Sequence, residues 1–268
     1  PVNKTLNIDL AGNTYICTGP AVGSTKTESQ ALHLEKGNTI TITNGTITAD
    51  SSKVLMLVQN YCDLTIDDVN LEGTKYTSYV ASNNFGKFTV TGDSYITATD
   101  GNVAFDVWYG MSKTGDYDAG VTVEFDSGFT GTVTGIIEYG ASSRITAETD
   151  LSNKAILSIK GGTFNSELKF TSAQAVKDIR VSGGTFNNFD MVDYLTEGAD
   201  VTYVLDSDIA IGEINVVKSK VTIDLKGHTI EGAKIFVNTT PGEATNASEL
   251  IIKDSTGKGE IFGGVYMN

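Results

Sequence analysis

The residues whose types and spacing could do chemistry are concentrated between positions 106 and 118. This segment holds the only tryptophan of the chain, two tyrosines and three aspartates, namely Trp108, Tyr109, Tyr117, Asp106, Asp116 and Asp118. Aromatic planes beside carboxylates can stack on the faces of sugars or anchor a protein interface. The alternative is that Trp108 and Tyr109 only fold a loop onto the body of the protein. The sequence therefore predicts ligand-binding residues at Trp108, Tyr109, Asp116, Tyr117 and Asp118.

Carboxylates in the same region raise the question of a metal. Asp116 and Asp118 are followed by Glu124 and Asp126, and carboxylate oxygens are the ligands that Ca²⁺ prefers. The spacing matches no diagnostic calcium motif, and the chain has no cysteine or histidine spacing typical of a zinc site. We therefore expect no metal and no other cofactor, with Ca²⁺ as the alternative left open.

Catalytic groupings are not recognisable in the sequence. It contains no Ser-His-Asp arrangement, phosphate loop or dinucleotide fingerprint. His33 stands between Leu32 and Leu34, a pattern typical of an outward-facing strand residue. We therefore predict no catalytic residue and expect that the protein is not an enzyme.

The elements that must position these residues are revealed by an internal repeat. Residues 157–164 read Leu-Ser-Ile-Lys-Gly-Gly-Thr-Phe and return, 22 positions later, as Ile-Arg-Val-Ser-Gly-Gly-Thr-Phe. The same frame places Ile42, Ile66 and Val90 at a constant interval of 24. A fixed period built from β-strand signals is typical of stacked coils. It predicts an all-β fold, a single-stranded right-handed parallel β-helix of roughly nine to eleven coils.

The repeat also predicts the domain organisation. We expect one β-helix domain over residues 1–268, with coils at 3–189, a related coil set at 201–268, and side-loop insertions at about 106–120 and 138–153. Residues 8–14 and 223–229 agree at five of seven positions, which is why the second set is related to the first. Residues 189–198 break the alternation and indicate a turn or short helix. Phe164, Phe186 and Tyr95 occupy equivalent positions and are predicted to form an internal stack.

Composition limits the partners. The chain carries 19 basic and 33 acidic residues, a formal net charge of −14, which repels nucleic acid. No apolar stretch is long enough to insert into a membrane. Cys17 and Cys62 are separated by about two coils, which is beyond disulfide reach, so we predict two buried free thiols.

Three phrases carry a resemblance. The Ile-Asp-Leu-x-Gly-x-Thr openings, the Gly-Gly-Thr-Phe corners and the Leu-Ile-Ile-Lys-Asp-Ser-Thr-Gly segment at 250–257 resemble the pectate-lyase-like β-helix repeats of gut bacteria and of their phages. That resemblance implies the fold and covers almost the whole chain. It implies little about activity, because the matching residues are corner glycines and core apolar residues.

The resemblance also identifies the residues that an enzyme of this kind would need. Its hydrolase branch uses clustered carboxylates and a Gly-His element, which Asp67-Asp68 and Gly227-His228 match superficially. Six or seven coils would separate the two elements by about 30 Å, whereas glycosidase carboxylates lie about 5–10 Å apart.

The lyase branch uses an arginine beside acidic calcium ligands. This chain has only Arg144 and Arg180, and no acidic pair one coil away aligns with either.

Taken together, these observations favour a non-enzymatic structural or binding protein displayed on a surface. We expect a phage virion protein, such as a head-decoration, fibre or spike-like protein, because the sequence shows no signal peptide, cell-wall anchor or linker. The alternative is a secreted or cell-surface bacterial adhesin that binds a glycan or a host protein, and the third possibility is a polysaccharide lyase or hydrolase. Open strand edges at the ends of the fold predict a homo-oligomer or docking to a larger assembly such as a virion.

Overall fold

The computed structural model describes residues 3–23, 28–99, 101–110, 119–142, 150–171, 177–238 and 248–267. Within these ranges the chain forms 24 β-strands and one short 3₁₀ turn, Val192–Tyr194. The turn lies in the segment where the alternation breaks, so the prediction of a turn or short helix there is confirmed. No helix among the described residues is long and apolar enough to cross a membrane.

The strands form three sheets. The largest has fourteen strands: β1 (Thr5–Asp9), β2 (Thr14–Cys17), β4 (Thr39–Ala49), β6 (Asp63–Glu72), β8 (Gly86–Thr91), β9 (Tyr95–Thr97), β11 (Val121–Phe125), β12 (Thr132–Thr134), β14 (Ala155–Ile159), β15 (Thr163–Asn165), β17 (Asp178–Phe186), β18 (Leu195–Val204), β21 (Lys220–Asp224) and β23 (Glu249–Lys253). The second has six: β3 (Gln30–Leu34), β5 (Met56–Asn60), β7 (Tyr79–Asn83), β10 (Val103–Tyr109), β13 (Ile136–Ala141) and β16 (Leu168–Phe170). The third has four: β19 (Ile209–Ala210), β20 (Glu213–Val217), β22 (Thr229–Asn238) and β24 (Glu260–Met267).

The 24-residue frame sets the strand register. Ile42 of β4 lies opposite Ile66 of β6, and Ile66 lies opposite Val90 of β8, in parallel pairs. All three side chains are buried. The apolar positions that the sequence marks are therefore the ones that the parallel ladder brings together.

The prediction of a single-stranded β-helix is nevertheless wrong. The structure has a closed parallel barrel of eight strands and, in addition, further sheets. The barrel follows the path β14-β11-β8-β6-β9-β12-β15-β17 and is closed by the pairing of β14 with β17. The physical reason is that β6 continues through the corner at Asp68, which adopts a left-handed φ of 55°. Its first half pairs with β8 and its second half with β9, so the ladder branches where we expected the strand to end.

The chain divides into two compact units. The first comprises residues 1–158 and 166–179, and the second residues 159–165 and 180–268. The core of the first unit includes Phe88, Phe105 and Phe125, all with no exposed surface, and the rings of Phe105 and Phe125 lie 5.0 Å apart. Burial of such rings contributes roughly 1.5–3 kcal/mol each.

In the second unit an aromatic stack fills the core. The rings of Phe164 and Phe186 are stacked at 5.3 Å, and Tyr203 extends the stack at 5.7 Å from Phe186. The predicted extension to Tyr95 is wrong, because Tyr95 is 38% exposed and its neighbour Ile96 is buried instead.

Both cysteines are buried and unpaired, as predicted. Burial raises the pKa of the Cys62 thiol to about 12, with a smaller contribution from the nearby Asp63 carboxylate. The thiol is therefore protonated and unreactive at neutral pH.

Candidate ligand-binding face

The first part of the predicted binding segment is a strand. Trp108 and Tyr109 belong to strand β10 of the six-stranded sheet, so residues 106–109 of the insertion expected at about 106–120 are not a loop. Trp108 is half-buried and Tyr109 is buried. Asp116, Tyr117 and Asp118 lie outside the described residues.

The first residues of the second insertion, expected at about 138–153, are also a strand. Residues 138–141 belong to strand β13. In both cases these residues continue the apolar alternation of the strand that they belong to.

Strand β10 contributes to a row of polar side chains that crosses all six strands of its sheet. Its members, which we call the polar row, are His33, Gln59, Ser82, Asp106, Glu138 and Lys169. Strand pairing places successive members side by side, and between β7 and β10 the Ser82 hydroxyl donates to Asp106 at 2.9 Å. Because parallel strands lie about 4.8 Å apart, a side chain of the row stands at each such interval.

Asp106 lies at the centre of the polar row. One carboxylate oxygen accepts the backbone N–H of Asn83 and the other accepts the Ser82 hydroxyl. The residue is only 5% exposed. Burial raises the pKa of the Asp106 carboxyl to about 7; the two hydrogen bonds oppose the rise, and the charge of Glu138 adds to it.

Glu138 is the half-buried neighbour of Asp106 on β13. Its carboxylate accepts the phenol of Tyr79 at 3.0 Å. Burial and this hydrogen bond raise the pKa of Tyr79 to about 12, so the phenol is a donor at all physiological pH values. Glu138 thus presents a carboxylate that is oriented from one side and still accessible to solvent.

A second row runs beside the first, two residues further along each strand. It consists of Tyr61, Asn84 and Trp108, all half-buried. The Asn84 side-chain oxygen accepts the Gln59 amide at 2.8 Å and the Tyr61 hydroxyl at 3.3 Å. Opposite Trp108 on β13 stands Gly140, so no side chain covers the indole from that strand.

Buried amides between the two rows hold the strands together. Asn60 and Asn83 have no exposed surface. The Asn60 amide donates to the Asn83 side-chain oxygen, and the Asn83 amide donates to the backbone carbonyl of Asp106. These bonds satisfy polar groups that burial would otherwise penalise, and they fix the backbone under both rows.

At each end of the polar row a side chain lies beside a carboxylate from outside the row. At one end His33 Nε2 lies 3.2 Å from a carboxylate oxygen of Glu35. At the other end the Lys169 ammonium lies 3.4 Å from the carboxylate of Glu167. The carboxyl groups of Asp106 and Glu138 therefore stand near the centre of the row, while His33 and Lys169 at its ends each lie beside a carboxylate from outside the row.

The residues suggested by the enzymatic alternatives stand at other places. Asp68 accepts the backbone N–H of Asp93 at 2.7 Å, and His228 Nδ1 lies 3.5 Å from Asp208 in the turn before β22. Arg180 is an exposed residue of β17, and Arg144 lies outside the described residues. Asp68 and His228 therefore lie in turns, and Arg180 lies at an exposed strand position.

The carboxylates suggested for a calcium site do not form one where the structure describes them. Glu124 pairs with Lys87 at 2.7 Å, and Asp126 accepts the backbone N–H of Gly128. In the described part of the chain no three histidine, cysteine or acidic side chains are grouped so that they could hold a metal ion.

Sequence reasoning missed most of the polar row, although a signal was present. Val-Gln-Asn at 58–60 and Ala-Ser-Asn at 81–83 repeat an apolar-polar-asparagine pattern 23 residues apart, and Asp106 follows 24 residues after Ser82. The corner phrases of the fourteen-stranded sheet have a more obvious period, which is why this second, weaker period was not used.

Comparison of the chain with known protein families, with curated proteins and with solved structures finds no match in any of the three. The resemblance to pectate-lyase-like repeats therefore stays a prediction. The function proposed below rests on the geometry of the two rows of the six-stranded sheet.

Proposed function

We propose that the protein is a non-enzymatic carbohydrate-binding protein and that the half-buried side chains of its two rows, Tyr61, Asn84, Trp108 and Glu138, form its binding surface. The observation that carries the proposal is the pair of adjacent rows, one hydrogen-bonding and one containing half-buried aromatic rings, held in register by parallel strands. Sugars present hydroxyl groups at their edges and apolar C–H groups on their faces. Glu138 and Asn84 supply polar partners for the edges, and Trp108 and Tyr61 supply rings for the faces.

The position of Asp106 supports binding rather than catalysis. A glycosidase needs two carboxyl groups in contact with one glycosidic bond. Both oxygens of Asp106 accept hydrogen bonds from β7, and the side chain is almost fully buried. Asp106 therefore positions Ser82 and the β7 backbone, and of the two neighbouring carboxyl groups Asp106 and Glu138 only Glu138 is accessible.

Charge at the centre of the face favours one class of sugar. Glu138 is a carboxylate accessible to solvent, and the whole chain has a net charge of −14. A uronate would meet like charge on this face, whereas a neutral or amino sugar would not. We therefore propose neutral or amino sugars as the ligands.

Affinity electrophoresis through gels containing xylan, mixed-linkage β-glucan, chitosan or polygalacturonate tests the proposal. We expect retardation by one of the first three polysaccharides, and a loss of at least tenfold in affinity for Trp108→Ala, because an aromatic anchor contributes 2 kcal/mol or more at such sites. Tyr76→Ala, which removes another exposed aromatic ring, is the matched control and should leave retardation unchanged.

Two results would contradict the proposal. Equal retardation of wild type and Trp108→Ala would show that binding does not involve this face. Release of reducing ends by wild type but not by Glu138→Gln would show an enzyme.

For location we propose the surface of a phage virion, with a bacterial cell surface as the second candidate. The acidic composition supports a solvated exterior and disfavours contact with packaged nucleic acid. Gold-labelled antibodies on particles purified from the source should label the outside of capsids or tails. Label confined to bacterial envelopes would favour the adhesin instead.

A further inference from the structure

Strands β1 and β23 each have one edge without a partner among the residues that the structure describes. Strand β1 pairs with β4 alone, and strand β23 pairs with β21 alone. Each edge exposes apolar side chains, with Leu6 48% and Ile252 40% exposed. Unpaired edges of this kind are templates for pairing with another strand.

The internal repeat indicates which strand fits the β23 edge. Residues 223–229, which begin in β21, agree with residues 8–14, which begin in β1, at five of seven positions. Within one chain β21 covers one edge of β23, with Val221 opposite Leu250 and Ile223 opposite Ile252. The β1 strand of another molecule would present Leu6 and Ile8 to the other edge of β23 at the same spacing.

Charged side chains are also complementary in the same register. Lys253 stands opposite Asp224 in the β21–β23 pair, with its ammonium 3.4 Å from the Asp224 carboxylate. With Ile8 opposite Ile252, Asp9 of the second molecule would flank Lys253 from the free side. The lysine would then lie between two carboxylates on neighbouring strands.

We propose that the β23 edge of one copy of this chain binds the β1 edge of a second copy, as parallel strands, in the register Leu6–Leu250, Ile8–Ile252 and Asp9–Lys253. Exposed apolar side chains on the next strands enlarge the same interface, since Tyr15 and Ile16 of β2 and Phe262 and Tyr266 of β24 are all more than 40% exposed. The contact joins two different surfaces, so it is heterologous and each copy can bind two others.

The hydrogen-bond pattern identifies substitutions that block each edge without touching the ladders inside the molecule. Leu10 donates its N–H to Thr43, and Lys4 accepts from Thr39. Since alternate residues of a parallel strand face opposite neighbours, the N–H of Asn7 points to the free edge. Asn7→Pro therefore removes one edge donor.

The same reasoning applies to the second edge. Glu249 donates its N–H to Ser219, and the Lys253 carbonyl accepts from Leu225, so the N–H of Ile252 points to the free edge. Ile252→Pro removes that donor. The controls Asn7→Thr and Ile252→Val keep the N–H groups.

Sedimentation velocity over a concentration series at physiological salt tests the proposal. We expect the average mass of wild type to rise beyond that of a dimer with concentration, and each proline variant alone to stay monomeric. An equimolar mixture of the two proline variants should form a dimer and nothing larger, because each contributes one intact edge. A wild type that stays monomeric at high micromolar concentration, or proline variants that associate like wild type, would overturn the proposal.

Charge variants keep the test decisive if a proline variant fails to fold. Asp9→Asn retains an acceptor for the N–H of Ala11, which Asp9 binds at 2.8 Å, and should weaken association about threefold. Asp63→Asn, an equal charge change at an exposed position of β6, should leave association unchanged. Equal effects of the two substitutions would overturn the proposed register.

Discussion

Asp106 in the six-stranded sheet and Asp254 in the turn after β23 both accept backbone N–H groups, yet the pKa of each carboxyl is shifted in a different direction. At Asp106 burial outweighs the hydrogen bonds, and the pKa rises to about 7. At Asp254 the backbone N–H groups of Gly259, Thr256 and Gly227 outweigh desolvation, and the pKa falls well below its usual range. The charged form of aspartate is therefore destabilising at Asp106 and stabilising at Asp254.

The comparison teaches that two structural carboxylates can be held for different physical reasons. Asp254 stabilises its own turn by accepting the backbone N–H groups of Thr256 and Gly259, and it also accepts that of Gly227 in the corner before β22. Asp106 lies in the middle of a strand, where its carboxylate accepts the Asn83 backbone N–H and the Ser82 hydroxyl of the neighbouring strand, and its side chain is buried. Its charged form lowers stability at neutral pH, and its role is to hold the strands beneath the rows that we propose for binding.

Replacing Asp106 by asparagine gives the largest expected effect. The folded pKa of Asp106 is above its usual 3.8, so its contribution to stability is fully present below about pH 4 and is lost as pH rises through 7. Wild type should lose about 4 kcal/mol at most from this group between pH 4 and pH 8, and Asp106→Asn should lose none of it. Urea unfolding at both pH values measures the difference, and parallel pH profiles for the two proteins would contradict it.

Asp254→Asn should act in the opposite pH range. The pKa of Asp254 is lowered on folding, so its contribution is present at pH 7 and is lost as pH falls below about 4. We expect the urea midpoint of the variant to lie below that of wild type at pH 7 and to come only partly closer to it at pH 3, because the folded pKa lies lower still. The effect is smaller than for Asp106 because water screens a carboxylate at the surface. A deficit that is equal at both pH values would show that the turn is damaged by shape rather than by charge.

These two aspartates also show what the sequence could and could not predict. The phrase Leu-Ile-Ile-Lys-Asp-Ser-Thr-Gly indicates a strand followed by a turn at Asp254, because aspartate, serine and glycine favour turns, and the structure has that turn. Asp106 was noticed for its aromatic neighbours but was assigned to an insertion. Its true neighbours, Ser82 and Glu138, are 24 and 32 residues away in sequence, and only the strand register brings them together.

The closed sheet could not be predicted for a related reason. Asn44 and Asp68 both adopt a left-handed φ of 55°, and their residue types correctly indicate corners. A corner normally ends a strand, and the single-stranded helix was predicted on that basis. In β4 and β6 the ladder continues across the corner, and which strands then meet depends on long-range pairing that short repeats do not specify.

Tyr79→Phe should give the smallest effect of the series and tests whether the Tyr79–Glu138 contact orients the face or stabilises the fold. The substitution removes one hydrogen bond to a carboxylate that remains accessible to solvent, so we expect a loss of about 1 kcal/mol in the free energy of unfolding at pH 7. The pH dependence assigned to Asp106 should remain, because burial and not Tyr79 is its first cause. Tyr76→Phe, which alters an exposed ring, is the control. A loss several times larger than expected would mean that Glu138 is buried as an unpaired charge once the phenol is gone, and Glu138 would then belong with Asp106 to the supporting structure and not to the accessible part of the face.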